Sequence, residues 1–333
     1  MIHTIQYLRA IAALMVVWHH ARNMLPELKI YFTSGFGASG VDVFFVISGF
    51  IMVLTTHDNN IGPLLFIKRR VIRVAPMYWL LTLLMIAGAI FAPDLFKTTQ
   101  VHPDIVIKSL LFIPHYSKSS PTEIWPILVP GWTLNYEMFF YAVFAISLLI
   151  KPSSRIQVLA LSFATLVTAG YLFGPLDNPL AVTYTIPILM EFIFGAVIAK
   201  LWVSGRLNMQ TSASFFFFVC GIFLLVMENR FDELGHGLGS ILLVVGALNL
   251  KKWRSAVLHG LGNGSYSIYL THLFTLGLVR FLWMKAFPAP ITPFSGLSFM
   301  LLSLIVCAMV GWFFYHWIEY PMTKSLHARV GNT

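Results

Sequence analysis

The chain's apolar residues arrive in blocks of about 15 to 20, close to the ~20 residues an α-helix needs to cross a ~30 Å hydrocarbon core. Between the blocks lie short polar stretches, and only 11% of all residues are charged while 58% are hydrophobic. Soluble domains carry roughly 25% charged residues. Too few charges remain here to cover a water-facing surface. The expected fold class is all-α, a polytopic membrane helix bundle forming one integral-membrane domain over 1–333.

Ten spans follow from the pattern: Ile5–Met24, Ser39–Thr56, Ala75–Ala92, Leu134–Ile150, Ile156–Phe173, Leu180–Leu201, Ser212–Met227, Gly237–Leu250, Ser265–Trp283 and Leu297–Trp317. Ile5 to Trp18 resembles the apolar part of a signal peptide. Arg9 interrupts it and no small-residue cleavage site follows, so it reads as a retained first span. The one long loop, 93–131, contains an apolar stretch, Ile105–Ile113, that fits either a membrane interface or a fold-back over the bundle. Trp79, Trp125, Trp132 and Trp317 fall near span ends, where an aromatic belt would place them.

The net charge of +9 raises the question of nucleic acid, but cytoplasmic loops of membrane proteins collect Lys and Arg. With the N-terminus inside, alternate loops hold Lys68, Arg69, Arg70, Arg73, Lys151, Arg155, Lys200, Arg206, Lys251, Lys252 and Arg254, and the tail adds Lys324 and Arg329. The opposite loops hold Lys29, Lys97, Lys108, Lys118, Arg230 and Lys285, with acids such as Asp94, Asp104, Glu123, Asp177, Asp232 and Glu233. This bias predicts an even span count and both termini cytoplasmic. The expected location is a bacterial inner membrane, with membrane lipid as a partner and no nucleic acid. Cys220 and Cys307 stand alone in apolar stretches, without disulfide or zinc spacing. No metal is expected: His19 and His20 diverge on a helix, and no His pair at i, i+4 has an acid beside it.

A charge inside a span is costly, so it is usually paired or used. Arg9 and His20 are eleven residues apart, three helical turns plus about 20°, so they share one face and lie roughly 16 Å apart along the axis. His19 points about 100° away. Two readings fit: a base in the outer half with a cation below it, or a buried polar contact. Asp42, in Gly40-Val41-Asp42-Val43, opens the second span within possible reach of His20, and Ser48-Gly49 suits close helix packing. Gly35-Phe36-Gly37-Ala38-Ser39-Gly40 matches G-x-G-x-x-G but follows no strand, so it carries no dinucleotide meaning. Arg70 and Arg73, one turn apart before a span beginning at Pro76, fit either a phosphate grip or an anchor beside anionic lipid. Glu137, in Trp132-Thr133-Leu134-Asn135-Tyr136-Glu137, is placed either to orient an imidazole or to form an ion pair with Arg9 or Arg22. His272, in Ser265-Tyr266-Ser267-Ile268-Tyr269-Leu270-Thr271-His272, falls near mid-membrane, an expensive place for an idle imidazole.

Taken together and in this order, these blocks resemble the membrane acyltransferase-3 family, from Tyr7 to Pro321. The first span and WTLNYE look most like its exopolysaccharide-production O-acetyltransferases. The resemblance implies an acyl-CoA donor, acetyl-CoA as co-substrate, from the cytoplasm and a glycan acceptor on the far side. It implies His20 as catalytic base with Arg9 its companion, Glu137 or Asp42 orienting it, and Arg70 and Arg73 on the donor's phosphates. His272, Tyr266, Trp132 and Asn135 become substrate contacts. Some members carry a fused esterase-like domain. The chain ends at Thr333 without one, so a second transfer step is expected to need a partner such as a polysaccharide assembly protein. Two other classes remain open from the residues alone: a transporter or flippase for a lipid-linked sugar, and a non-catalytic scaffold of an assembly complex.

Overall fold

The computed structural model describes residues 2–57, 61–94, 96, 98–250, 254–288 and 290–331, without the side chains of 228–234. Lys97, Lys251 and Lys252, and the side chains of Arg230, Asp232 and Glu233, which entered the charge bias, lie outside the described residues. All regular structure among the described residues is helical, as lipid demands: an α-helix satisfies its backbone groups within one segment. The helices are α1 (His3–Asn23), α2 (Pro26–Tyr31), α3 (Gly40–His57), α4 (Pro63–Phe91), α5 (Pro103–Leu110), α6 (Trp132–Ser147), α7 (Pro152–Phe173), α8 (Pro179–Tyr184), α9 (Leu189–Val203), α10 (Thr211–Val226), α11 (Glu228–Asn249), α12 (Ala256–Asn263), α13 (Ser265–Ala286), α14 (Pro293–Phe314) and α15 (Tyr320–Gly331).

Local chemistry sets many of the starts. Proline occupies the first turn of α2, α4, α5, α7, α8 and α14, where its missing N–H has no intrahelical partner to lose. Asn178 caps α8 by accepting from Leu180 N at 2.9 Å. Ser255 caps α12 by accepting from Leu258 N at 3.2 Å, and Thr292 and Ser295 form a reciprocal capping box on α14. Such caps satisfy donors that the first helical turn leaves open.

All ten expected blocks are helical over most of their length, but fewer than ten helical segments among the described residues are long and apolar enough to cross a membrane, and two departures from the expected spans have a clear physical cause. The third span does not begin at Pro76: α4 starts at Pro63 and runs through it. The interior proline removes only its own hydrogen bond to the carbonyl one turn back, so Arg70 and Arg73 ride on the same helix as the span. The sixth block is interrupted between α8 and α9. Pro187 lies in the gap; it disfavours helical backbone at Ile186 and supplies no N–H. By length and hydropathy, six helical segments are long and apolar enough to cross a membrane: 36–57, 63–91, 152–173, 179–203, 265–286 and 293–330. Thr211–Val226 and Gly235–Asn249 are shorter apolar helices. Large apolar side chains stay exposed along these helices, including Leu83, Ile90, Leu161, Phe216, Phe281 and Leu301. On a soluble protein such patches would be a liability; beside lipid tails they are the required surface.

The chain forms two compact units, 1–51 with 198–320 and 52–197 with 321–333. The first is built around α1, which packs against α12, α13 and α14. Ala10, Ala12, Ala13 and Ala21 are fully buried on α1, and small residues let helix backbones approach closely where no hydrophobic drive exists between helices. Ala13, Val17 and Ala21 meet Ile268, Leu276 and Val279 of α13 and Phe299, Met300 and Cys307 of α14 in one core. The Tyr7 hydroxyl accepts from Ser255 N at 2.9 Å and so ties the start of α12 to α1.

In the second unit α4 packs on α6 and α6 on α7, with aromatic contacts at Phe66–Phe144, 5.2 Å, and Phe140–Phe192, 4.5 Å between ring centroids. The apolar stretch of the long loop folds back onto α4. Tyr78 donates to Ser109 O at 3.0 Å and Trp79 Nε1 to Leu110 O at 2.7 Å. His115 is buried in the same knot: its Nδ1 donates to Ile113 O at 2.8 Å and its Nε2 lies 3.5 Å from Ser109 Oγ. Burial holds the His115 pKa below the ordinary histidine value, which favours the neutral ring this pattern needs.

Candidate active site

Within the first unit, α1 and α13 bring two imidazoles together. The His20 and His272 ring centroids are 4.8 Å apart with planes tilted 45°. His19 stands edge-on to His20 at 5.3 Å. His272 is fully buried, and its Nδ1 faces the Tyr269 carbonyl one turn back. A carbonyl only accepts, so Nδ1 carries the proton and Nε2 is an acceptor. That Nε2 is buried with no hydrogen-bond partner. His19 is differently held: Nδ1 donates to Gly35 O at 3.2 Å, and Nε2 accepts from Asn23 Nδ2 at 3.1 Å.

The turn that follows α1 is pinned by the same helix end. Arg22 donates to Thr33 O at 3.2 Å. The 3-10 segment Phe36–Ser39 presses on α1. A Cβ on Gly37 would sit 2.2 Å from Met15 O and 2.9 Å from His19 N, and one on Gly40 would sit 2.4 Å from Ala12 O. Two of the glycines that spell a false dinucleotide motif, Gly37 and Gly40, are therefore close-approach points against the helix bearing His20. Arg9 lies on α1 with His20 and donates to Gln6 Oε1 at 3.3 Å. Asp42 is buried in the first turn of α3, and Tyr266 is half-buried on α13.

Two features of this unit were not legible in the sequence. The junction of α14 and α15 is a π-helical segment, Tyr315–Glu319, an irregularity frequent at functional sites. It turns the fully buried Glu319 toward α13, where Ser267 Oγ donates to Glu319 Oε2 at 2.6 Å. A buried carboxylate without such a donor would be strongly disfavoured.

In the second unit, Arg69 and Arg70 line a cavity of about 250 Å³ with Thr55, Thr56, Ile61 and Phe66. The Arg70 guanidinium lies 5.7 Å from the Phe66 ring centroid, an arrangement that holds the cation by its attraction to the ring face. Its Nε is buried without a partner, so the fork retains an unused donor. Arg73 lies one turn further along α4. On α6, Glu137 accepts from the Tyr141 hydroxyl. Asn135 is buried and Trp132 half-buried at the start of the same helix, with Trp132 edge-on to Tyr136 at 5.8 Å.

The chain is similar to the exopolysaccharide production protein ExoZ of Rhizobium meliloti, with 40% identity over 88% of this chain and 92% of that protein. It is 25% identical to the putative membrane-bound transacylase BcsY of Komagataeibacter xylinus, over 75% of this chain and 70% of the relative. It is 26% identical to the peptidoglycan O-acetyltransferase OatA of Listeria monocytogenes, over 62% of this chain and 35% of the relative. No solved structure matches. The acyltransferase domain model matches residues 2–316, a stretch that takes in both the paired imidazoles and the arginine-lined cavity. On that extent of match, this multi-helical chain belongs to the membrane acyltransferase-3 family.

Proposed function

We propose that the protein is a membrane O-acyltransferase that moves an acyl group, acetyl in the simplest case, from cytoplasmic acyl-CoA to a hydroxyl of an exported polysaccharide or its lipid-linked precursor. The observation that carries this reading is the His20–His272 pair, two imidazoles in contact at 4.8 Å inside the helix packing of an acyltransferase-family chain. His20 takes the proton of the acceptor hydroxyl as the oxygen attacks the thioester carbonyl carbon. The tetrahedral intermediate then collapses, the C–S bond breaks, and the thiolate leaves as free thiol with that proton. Arg9, on the same helix, supplies positive charge, and Asp42 and Tyr266 of the same unit serve the acceptor side; within the second unit, Glu137, Trp132 and Asn135 are candidate acceptor contacts of their own. Arg70 and Arg73 hold the donor's phosphates, a task that suits forked guanidiniums and, at Arg70, a buried Nε without a partner.

The test uses the full chain, purified in lipid nanodiscs, with acetyl-CoA and alkali-deacylated polysaccharide from the producing cells. Free thiol and sugar-bound ester should appear in equal amounts. Ester without dependence on acetyl-CoA, or neither product, would overturn the reading. The similarity to an exopolysaccharide production protein supports polysaccharide as the acceptor class.

The donor reading carries its own prediction. Arg70→Ala should raise KM for acetyl-CoA about 10- to 100-fold, the worth of one or two charge-assisted hydrogen bonds, with kcat little changed. Acetyl-pantetheine, which lacks the nucleotide phosphates, should be used equally well by both proteins. Equal sensitivity to the two donors would remove Arg70 from phosphate binding.

A further inference from the structure

We propose that His272 is the positioning partner of His20: its buried Nε2 accepts an N–H from the His20 ring and so leaves the other His20 nitrogen as the lone pair that takes the hydroxyl proton. This rests on the reading of His20 as the base, and it assigns His272 a role other than substrate contact.

The geometry narrows the choice of partner. A neutral imidazole has one N–H and one lone pair, and a general base works only if the lone pair faces the substrate. Something must therefore hold the N–H. His19 is the other ring beside His20, but both its nitrogens are engaged, with Gly35 O and Asn23 Nδ2. His272 offers the complementary atom. Its Nδ1 proton is committed to the Tyr269 carbonyl, so Nε2 is an acceptor, and that acceptor is fully buried and unpartnered. An unmet buried acceptor is costly, a deficit that a bond from His20 removes. With the centroids 4.8 Å apart, a modest turn of the His20 ring brings nitrogen to nitrogen. Catalytic hydrogen bonds commonly tighten in this way once substrate is bound.

His272 is itself held firmly. Thr271 Oγ1 donates to Ser267 O at 2.7 Å and Thr275 Oγ1 to Thr271 O at 3.1 Å. The Ser267 hydroxyl bonds Glu319 of the π-helical segment. Cys307 Sγ approaches the His272 carbonyl at 4.0 Å. When His20 becomes an imidazolium, its bond to His272 becomes charge-assisted and strengthens, so the partner favours the state formed as the proton moves.

Three substitutions in the full chain test the idea, in nanodiscs with acetyl-CoA and alkali-deacylated polysaccharide. His272→Phe fills the space but lacks the acceptor; kcat should fall about 10- to 100-fold while both KM values stay within about twofold. His272→Gln places a carboxamide oxygen near the Nε2 position and should recover most of the loss. His272→Asn reaches only the Nδ1 position and should behave like Phe. Wild-type kcat in the Phe variant overturns the proposal, as does a Gln variant no better than Asn; the Gln–Asn comparison decides the matter if the Phe variant fails to fold. His20→Ala in the same assay separates the two claims. If it stays active, the base reading falls and this inference with it. If it is inactive while His272→Phe turns over normally, only the positioning role falls.

Discussion

His20→Ala is expected to lower acyl transfer by roughly 10²- to 10⁴-fold, the range for loss of a positioned general base, while the protein still inserts and unfolds at nearly the wild-type temperature. The second half of this expectation follows from where the side chain sits. The α1 residues in the shared core are Ala13, Val17 and Ala21, whereas His20 is only partly buried and its ring contacts are two other imidazoles. Its removal leaves the helix seam intact and deprives the site of the ring proposed to take the hydroxyl proton. Ester on the polysaccharide, measured by mass spectrometry, and release of free thiol should fall together. Transfer at the wild-type rate in a folded His20→Ala protein would exclude the base assignment.

The second large effect is structural. Gly37→Val should destabilise the protein by about 1–3 kcal/mol or more, the usual range for overpacking a tight contact, and should depress activity with it. A Cβ at residue 37 meets backbone, Met15 O at 2.2 Å and His19 N at 2.9 Å, and backbone cannot swing aside as a side-chain tip can. The 3-10 segment must lift off α1, which pulls Gly35 O away from His19 and disturbs the level of the helix where His20 stands. Gly277→Ala on α13 is the control. Nothing lies within 4 Å of its added methyl group, so it should be neutral or stabilise slightly through helix propensity. Thermal unfolding in nanodiscs reads both variants. Equal unfolding temperatures for Gly37→Val and wild type would show that this contact does not hold the turn.

Much of the architecture is legible in the sequence. Most of each expected span became helix because backbone hydrogen bonding in lipid is met within one segment, and block length and composition are local properties. The shared face of Arg9 and His20 is likewise local, a consequence of 3.6 residues per turn. The break before α9 had a local cause in Pro187, although the length of the apolar block argued for one continuous span. At Pro76 the local signal pointed the wrong way, since an interior proline gives up one hydrogen bond without ending the helix.

The site itself was only half legible. The sequence by itself determined that the chain is helical and rich in apolar segments, that Arg9, His20 and Glu137 fall within apolar blocks, and that it resembles an acyltransferase family. Only the tertiary structure decided that His20 meets His272, that Nε2 of His272 is the open acceptor, that Glu319 turns onto Ser267, and that Gly37 and Gly40 are contact points on α1. The physical reason is one of range. Helicity depends on neighbours a turn apart, whereas a ring pair, an orphaned acceptor or a backbone contact depends on helices that are remote in sequence and packed at van der Waals distance.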